Sequence, residues 1–486
     1  MKKLIYYTSI LLLLFITSCS KDNSYPDIAI QFLQSDKSEI TTLSTDECGY
    51  LIYDPEQHKT IRAFNMQNPF IPASVTKLYT TVLSLEMLNP EYRFQTELLY
   101  TGKINDSVMK GSLFLRGGGD PELSVHDLIS IILEMKSRGI RSVKGKFIYD
   151  IGLFDSRDTL NKNMAVNAKY NPGFSPLNLN GNIIYALKKR DDKGELIGCE
   201  LIPAVPSSRA YLYDGPDVLL YARYSHVNGI ETWGLPSHGK WENRFQLPVK
   251  NTGLFTASVF RELCSIHGIT IPAPERGVVT PEANKITIHK SRLLSNIIRD
   301  MLCSSDNLTS EIAGTLASKE LSNRNKNSSS GVEIFFRRSF PSISWEEFRM
   351  DNYSGLTDTN RATPEQTVAM LIYLSRFEQQ SKEQNRLLPL SGLDGTMKSK
   401  LDDPGTAFRI YAKTGSIYYA SALAGDFIAA SGKKYLFAVF IDNKVKRRQY
   451  SGAGNGSIEA AQQAEKWSVE AAKSIELFIT NRIKEL

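Results

Sequence analysis

Metal-binding and redox chemistry have little to work with in this chain. Its 486 residues include five cysteines and six histidines, all dispersed, with no Cys-x-x-Cys pair and no zinc-ligand spacing. No protein-held metal and no cofactor are expected from such a pattern. An arginine-rich helix is also missing, and 58 basic against 52 acidic residues leave a net charge of only +6. That balance gives no footprint for nucleic acid. The apolar run at the N-terminus, Leu4 to Ile16, is too short for the roughly 20 residues of a comfortable membrane span. The triplet Gly117-Gly118-Gly119 lacks the Gly-Lys-Ser/Thr ending of a phosphate loop, so it reads as a tight turn.

What is present is ordinary globular material, 42% hydrophobic and 23% charged, in a length that suits about three domains. Met1-Lys2-Lys3 followed by Leu4 to Ile16 has the form of an export signal. It ends in Ile16-Thr17-Ser18-Cys19, which resembles a bacterial lipobox. Residues 1–19 are therefore expected to be a lipoprotein signal peptide with Cys19 as the lipidated position, and residues 20–35 a polar tether. The other cysteines, Cys48, Cys199, Cys264 and Cys303, permit three pairings, and their scatter favours small buried hydrophobes over a disulfide framework.

The stretch Pro72-Ala73-Ser74-Val75-Thr76-Lys77 reads as a helix start, with Leu78, Val82 and Leu85 following as one apolar stripe. Ser74 and Lys77 are then one turn apart on one face, where the amine can approach the hydroxyl. Burial would lower the lysine pKa and make it a base for the serine. A strand pair around Asp54-Pro55-Glu56 precedes this helix. From Tyr92 to about residue 280 the texture changes to short strand-like segments broken by glycine, proline and asparagine, which reads as an inserted domain. Helical periodicity returns around Ser291–Ile298 and Leu308–Leu316, on either side of Ser304-Ser305-Asp306-Asn307. Three strands, the first carrying Lys413-Thr414-Gly415-Ser416, and a final amphipathic helix with Ala464, Trp467, Ala471, Ile475 and Phe478 close the chain.

The expected fold is therefore α/β (α+β), an antiparallel sheet flanked by helices and carrying β-rich insertions. Its catalytic layer is expected in three pieces, residues 36–95, 284–322 and 406–486. A β-rich domain at 96–283 and a small mixed domain at 323–405 would be inserted between them.

Ser74-x-x-Lys77, Ser305-Asp306-Asn307 and Lys413-Thr414-Gly415 occur in this order on helix, loop and strand, with 231 residues from Ser74 to Ser305 and 106 from Asn307 to Lys413. Together with Arg93-Phe94-Gln95-Thr96, Gly117-Gly118-Gly119-Asp120-Pro121, Leu177-Asn178, Ser354-Gly355-Leu356 and Leu393-Asp394-Gly395-Thr396, this layout resembles the D-alanyl-D-alanine carboxypeptidase/endopeptidase family of low-molecular-mass penicillin-binding proteins. The likeness runs from about Cys48 to Asn443. Two departures stand out: Ser416 replaces the usual threonine after Lys-Thr-Gly, and Asn352-Tyr353 intervenes before Ser354-Gly355.

The resemblance implies a penicillin-binding-protein fold and a role for each motif. Ser74 would attack the carbonyl between two D-alanines while Lys77 takes its proton. Backbone N–H groups of Ser74 and Ser416 would form the oxyanion hole, and Ser305 would relay a proton to the leaving amine. Asn307 would hold the substrate amide, and Lys413, Thr414 and Ser416 the terminal carboxylate. The implied partners are peptidoglycan stem peptides, β-lactams as covalent inhibitors, and a membrane through the lipid. The implied location is the envelope of a Gram-negative bacterium, facing periplasm or surface. Two other functions fit parts of the sequence: a β-lactamase or esterase, for which no deacylating base stands out, and a non-catalytic peptidoglycan-binding lipoprotein, which intact motifs disfavour.

Overall fold

The computed structural model describes residues 47–214, 222–237, 244–324, 331–380, 386–452 and 458–486. The expected signal peptide, Cys19 and the tether lie outside these residues. Among the described residues no helix is long and apolar enough to cross a membrane.

The first and last parts of the chain build one antiparallel five-stranded sheet. Its strand order is Ile410–Ile417, Ala420–Ile428, Lys434–Asp442, Glu47–Asp54 and Lys59–Phe64. Glu47–Asp54 turns into Lys59–Phe64 through Asp54, whose Oδ1 accepts the N–H groups of Glu56 and Gln57 at 2.9 Å. Because side chains alternate across a strand, Leu51 and Tyr53 enter one core while Tyr50 and Ile52 enter another. Lys434–Asp442 divides in the same way, with Leu436, Ala438 and Phe440 on one face and Phe437, Val439 and Ile441 on the other. Both faces are covered, which is why these strands read as continuous apolar runs. The long C-terminal helix Ile458–Glu485 covers one face through Ala464, Trp467, Ala471, Ile475 and Phe478.

The other face carries the helix after Ser74, Thr76–Leu88. It is buried on nearly every side rather than along one stripe, so it forms the centre of the layer. Helices Leu294–Ser304, Asn307–Arg324 and Pro364–Gln380 share its core. Pro364–Gln380 falls within the segment expected as a small inserted domain, yet Val368, Ala369 and Leu371 pack in one cluster with Leu51, Leu78 and Phe440. Its place is in the catalytic layer. Before it, Phe336, Trp345 and Phe348 form a ring cluster around Tyr79, with Phe336 and Trp345 stacked at 5.2 Å.

The large insertion has its own core. A mixed five-stranded sheet runs Pro274–Gly277, Phe147–Asp150, Leu113–Arg116, Gln95–Tyr100 and Asn284–Lys290. The strand Asn284–Lys290 pairs with Gln95–Tyr100, so the insertion's pairing extends past the expected limit at residue 283. Two helices, Val125–Ser137 and Thr252–Ile266, supply residues to the same core. The first is closed by a capping box between Ser124 and Asp127 and buries Leu128, Ile131, Ile132 and Met135. The remaining strands form smaller three-stranded sheets. Of the four described cysteines, Cys48, Cys264 and Cys303 are buried and Cys199 half-buried. Burial raises the pKa of the Cys264 thiol.

Candidate active site

The chain reaches Ser74 through a single turn of 3-10 helix, Ala73–Val75, before the α-helix begins at Thr76. Val75 N–H closes that turn on the Pro72 carbonyl at 2.9 Å. No side chain caps this turn or the helix after it, and Ser74 Oγ lies against Lys77 Nζ, so its hydroxyl is placed for chemistry rather than for holding the helix. Ala73 has φ 44°, a left-handed conformation that costs a non-glycine residue about 1–2 kcal/mol and presents the next side chain at a sharp bend.

Two glycines allow the neighbouring segments to close on this bend. A Cβ at Gly415 would lie 2.6 Å from the Pro72 carbonyl oxygen and 3.3 Å from the Ser74 nitrogen. A Cβ at Gly355, whose φ is 78°, would lie 1.7 Å from the Ala73 carbonyl oxygen. Gly415 thus brings the Lys413 strand against the nucleophile turn, and Gly355 does the same for the segment after Tyr353.

Lys77 follows one turn after Ser74 and is fully buried. Its Nζ donates to Ser74 Oγ at 3.1 Å, to Asn307 Oδ1 at 2.8 Å and to the Ser354 carbonyl at 2.7 Å. Burial pulls its pKa from 10.5 down to about 7, against the opposing pull of the Asp306 and Glu311 carboxylates. A neutral amine keeps two N–H bonds and one lone pair. With Asn307 and Ser354 taking the two N–H bonds, the lone pair points at the Ser74 hydroxyl.

Ser305 and Asn307 sit at a junction of two helices. Ser305 ends Leu294–Ser304 in the left-handed conformation, φ 59°. Asp306 then accepts the Thr309 N–H at 2.6 Å and opens Asn307–Arg324. The middle residue of the motif is therefore a helix cap that aims its two neighbours. Asn307 is committed on both sides, Oδ1 to Lys77 and Nδ2 to the Tyr170 carbonyl at 3.0 Å.

Lys413, on the edge strand Ile410–Ile417, is also fully buried. Its Nζ donates to Ser305 Oγ at 3.0 Å and to the Thr414 carbonyl at 2.7 Å. Burial, aided by the charge of Lys77, holds its pKa well below the usual lysine range. Thr414 Oγ1 donates to Thr396 Oγ1 at 3.0 Å. Ser416 is exposed at the open edge of the strand.

The structure thus brings Ser74, Lys77 and Asn307 into one hydrogen-bonded group and sets Ser305 against Lys413, with Thr414 and Ser416 next along the same strand; Cys19 lies outside the described residues. Sequence reading gave no role to Ser354, whose contribution is a backbone carbonyl, nor to Tyr170, which acts the same way. Thr396 and Glu311 were equally unassigned. Glu311 lies four residues after Asn307, so one helical turn was the available signal.

A family model described as the D-Ala-D-Ala carboxypeptidase 3 (S13) family matches residues 33–461. A D-alanyl-D-alanine carboxypeptidase, DacB, of Haemophilus influenzae is 24% identical over 415 residues, 81% of this chain and 85% of its own length. A D-alanyl-D-alanine carboxypeptidase of an Actinomadura species is 31% identical over 108 residues, 22% of this chain and 20% of its own. The crystal structure of penicillin binding protein 4 from Haemophilus influenzae aligns with a TM-score of 0.68 at 23% identity, covering 82% of this chain and 91% of that one. The same protein complexed with a β-lactam gives a TM-score of 0.65. These likenesses establish the fold.

Proposed function

The chain belongs to the D-Ala-D-Ala carboxypeptidase 3 (S13) family and is a serine-type D-Ala-D-Ala carboxypeptidase, and from that premise we propose that Ser74 is its nucleophile and Lys77 its base. The observation that carries this reading is the environment of Lys77: a buried amine, its pKa lowered to about 7, with 3.1 Å between its nitrogen and Ser74 Oγ. Proton transfer from Ser74 to Lys77 accompanies attack on the penultimate D-alanine carbonyl. The backbone N–H groups of Ser74 and Ser416 receive the oxyanion, across the close approach that Gly415 permits. Ser305, hydrogen-bonded to Lys413, passes a proton to the departing D-alanine amine. Water then hydrolyses the ester on Ser74. Asn307 acts by orienting Lys77, which modifies the amide-holding role expected from sequence.

Lys413, Thr414 and Ser416 are assigned to the terminal carboxylate. Burial disfavours the charge on Lys413, so an arriving carboxylate is what would stabilise its proton. Losing that charge-assisted contact costs about 2–4 kcal/mol, or roughly 30- to 1000-fold in kcat/KM. Lys413→Ala is therefore expected to harm a peptide ending in a free D-Ala carboxylate far more than its C-terminal amide. Equal losses on both would show that Lys413 acts through Ser305 alone.

The substrates are peptidoglycan stem peptides, and the same acyl-enzyme step applies to the D-Ala amide of a cross-link, since only the group beyond the leaving nitrogen differs. Weighing the products from cross-linked and uncross-linked muropeptides tests the activity and measures this endopeptidase share. Cleavage of neither, by protein that binds both, would leave a non-catalytic binding protein.

The short apolar run ending at Cys19 supports a lipid anchor in the cell envelope, with the catalytic fold facing the periplasm or the surface. Wild-type protein expressed in a bacterium is expected in the membrane fraction with an acyl mass on Cys19, and Cys19→Ala in the soluble fraction without it. Unmodified, soluble wild type would remove the anchor from the reading.

A further inference from the structure

One of the three acceptors around Lys77 is a main-chain carbonyl in a segment without regular structure. Ser354 lies in the turn at residues 351–356, outside any helix or strand, so no ladder fixes the direction of its carbonyl. Glu311, fully buried in the helix Asn307–Arg324, supplies the missing hold. Its Oε1 accepts the N–H of Tyr353 at 3.1 Å and that of Ser354 at 2.9 Å. Its Oε2 lies 3.6 Å from the Arg157 guanidinium, which reaches in from the insertion. The hydroxyls of Ser310 and Thr80 grip the same turn by donating to the Tyr353 carbonyl at 2.6 and 2.5 Å.

Resting on the assignment of Ser74 and Lys77 above, we propose that Glu311 is a positioning residue for the peptidase reaction. By clamping the Tyr353 and Ser354 N–H groups, it holds the Ser354 carbonyl on Lys77. The neutral amine then has fixed partners for both N–H bonds, Ser354 and Asn307, and only its lone pair is left for Ser74. A carboxylate suits this task because it accepts two N–H bonds on one oxygen in charge-assisted form.

Its charge has a second effect. The charged groups acting on Lys77 are Asp306 at the start of this helix and Glu311 within it, while Lys77 in turn helps lower the buried Lys413 on the edge strand. The turn itself contributes the Tyr353 phenol, which burial keeps neutral and which donates to Ser318 Oγ at 2.7 Å. Glu311 therefore opposes burial and keeps the amine basic enough to take a proton from serine. Glutamine would preserve an acceptor oxygen for the two N–H groups but not the charge.

The test is the rate of acylation by a penicillin in the full chain, followed from about pH 5 to pH 9 for wild type, Glu311→Gln and Glu311→Ala, with the adduct mapped to its peptide. Glu311→Ala is expected to lower the plateau rate by about 10- to 100-fold through misplacement of the amine, while the concentration giving half-saturation changes little. Glu311→Gln is expected to retain most of the plateau but to move the acid limb down by about half a pH unit, because removing a negative charge favours the neutral amine. Variants labelled on Ser74 with the wild-type plateau and the wild-type acid limb would reduce Glu311 to a structural residue. If Glu311→Ala does not fold, the acid limb of Glu311→Gln decides alone. A wild-type adduct on a residue other than Ser74 would instead overturn the assignment of the nucleophile, and this role for Glu311 with it.

Discussion

Ser74→Ala is expected to abolish two activities together, covalent labelling by penicillin and release of D-alanine from a muropeptide, with turnover below about 10⁻⁴ of wild type. The two must fall together because a β-lactam presents a reactive amide beside a carboxylate, as the D-Ala-D-Ala terminus does. The hydroxyl that attacks one attacks the other. In wild type the adduct should add one drug mass to the peptide containing Ser74. The lactam leaving group remains tethered in the acyl product and obstructs water, so the ester should survive long enough for mass spectrometry. Stability should hardly change. Neither this turn nor the helix after it has a side-chain cap, so replacing Ser74 costs less than the about 1 kcal/mol of a lost cap. An unchanged thermal midpoint beside lost labelling distinguishes chemistry from folding. Continued release of D-alanine by the alanine variant would remove Ser74 from the mechanism.

Lys77→Ala is expected to slow acylation by about 10²- to 10⁴-fold, the usual contribution of a well-placed general base. The wild-type pH profile carries the sign of the argument. With the pKa lowered to about 7, the amine is neutral and reactive above that pH. Below it the lone pair is protonated, and the rate should drop about tenfold for each further pH unit. Without Lys77 this limb should disappear along with most of the rate. The variant also strips a donor from Asn307 Oδ1 and from the Ser354 carbonyl, at about 1–3 kcal/mol for each polar group left buried and unpaired. A thermal midpoint should be measured beside the rate, and the profile rather than the loss alone decides. An acid limb that persists near pH 7 in Lys77→Ala would assign the base elsewhere.

Ser74, Lys77, Ser305, Asn307 and Lys413, joined by side-chain hydrogen bonds, were legible because side chains are what a sequence records. The helix register alone puts Lys77 over Ser74, and burial alone lowers its pKa. The outer strands and last helix were legible for a similar reason, since apolar runs and a helical stripe survive in any context. The helix Val125–Ser137 had its signal in plain view, Leu128, Ile131, Ile132 and Met135 behind a capping box, but it sits among short strands whose texture dominates the region.

Groups that act through the backbone could not be read in this way. The carbonyls of Ser354 and Tyr170 complete the hydrogen bonding of Lys77 and Asn307, and any residue type there would offer the same oxygen. Glu311 owes its place to a turn 43 residues further along the chain, a contact that no local pattern encodes. Pro364–Gln380 joins the catalytic layer because its apolar side chains find Leu78 and Phe440, whereas its sequence shows only that they must be buried somewhere. The sequence by itself determined which chemical groups stand in the three motifs and the helical or strand form of the segments that carry them, since these follow from residue type and spacing of a few positions. Only the tertiary structure decided which acceptors orient the amine, which oxygen Glu311 holds in place, and how closely Gly415 and Gly355 approach the nucleophile turn, because each is a relation between segments far apart along the chain.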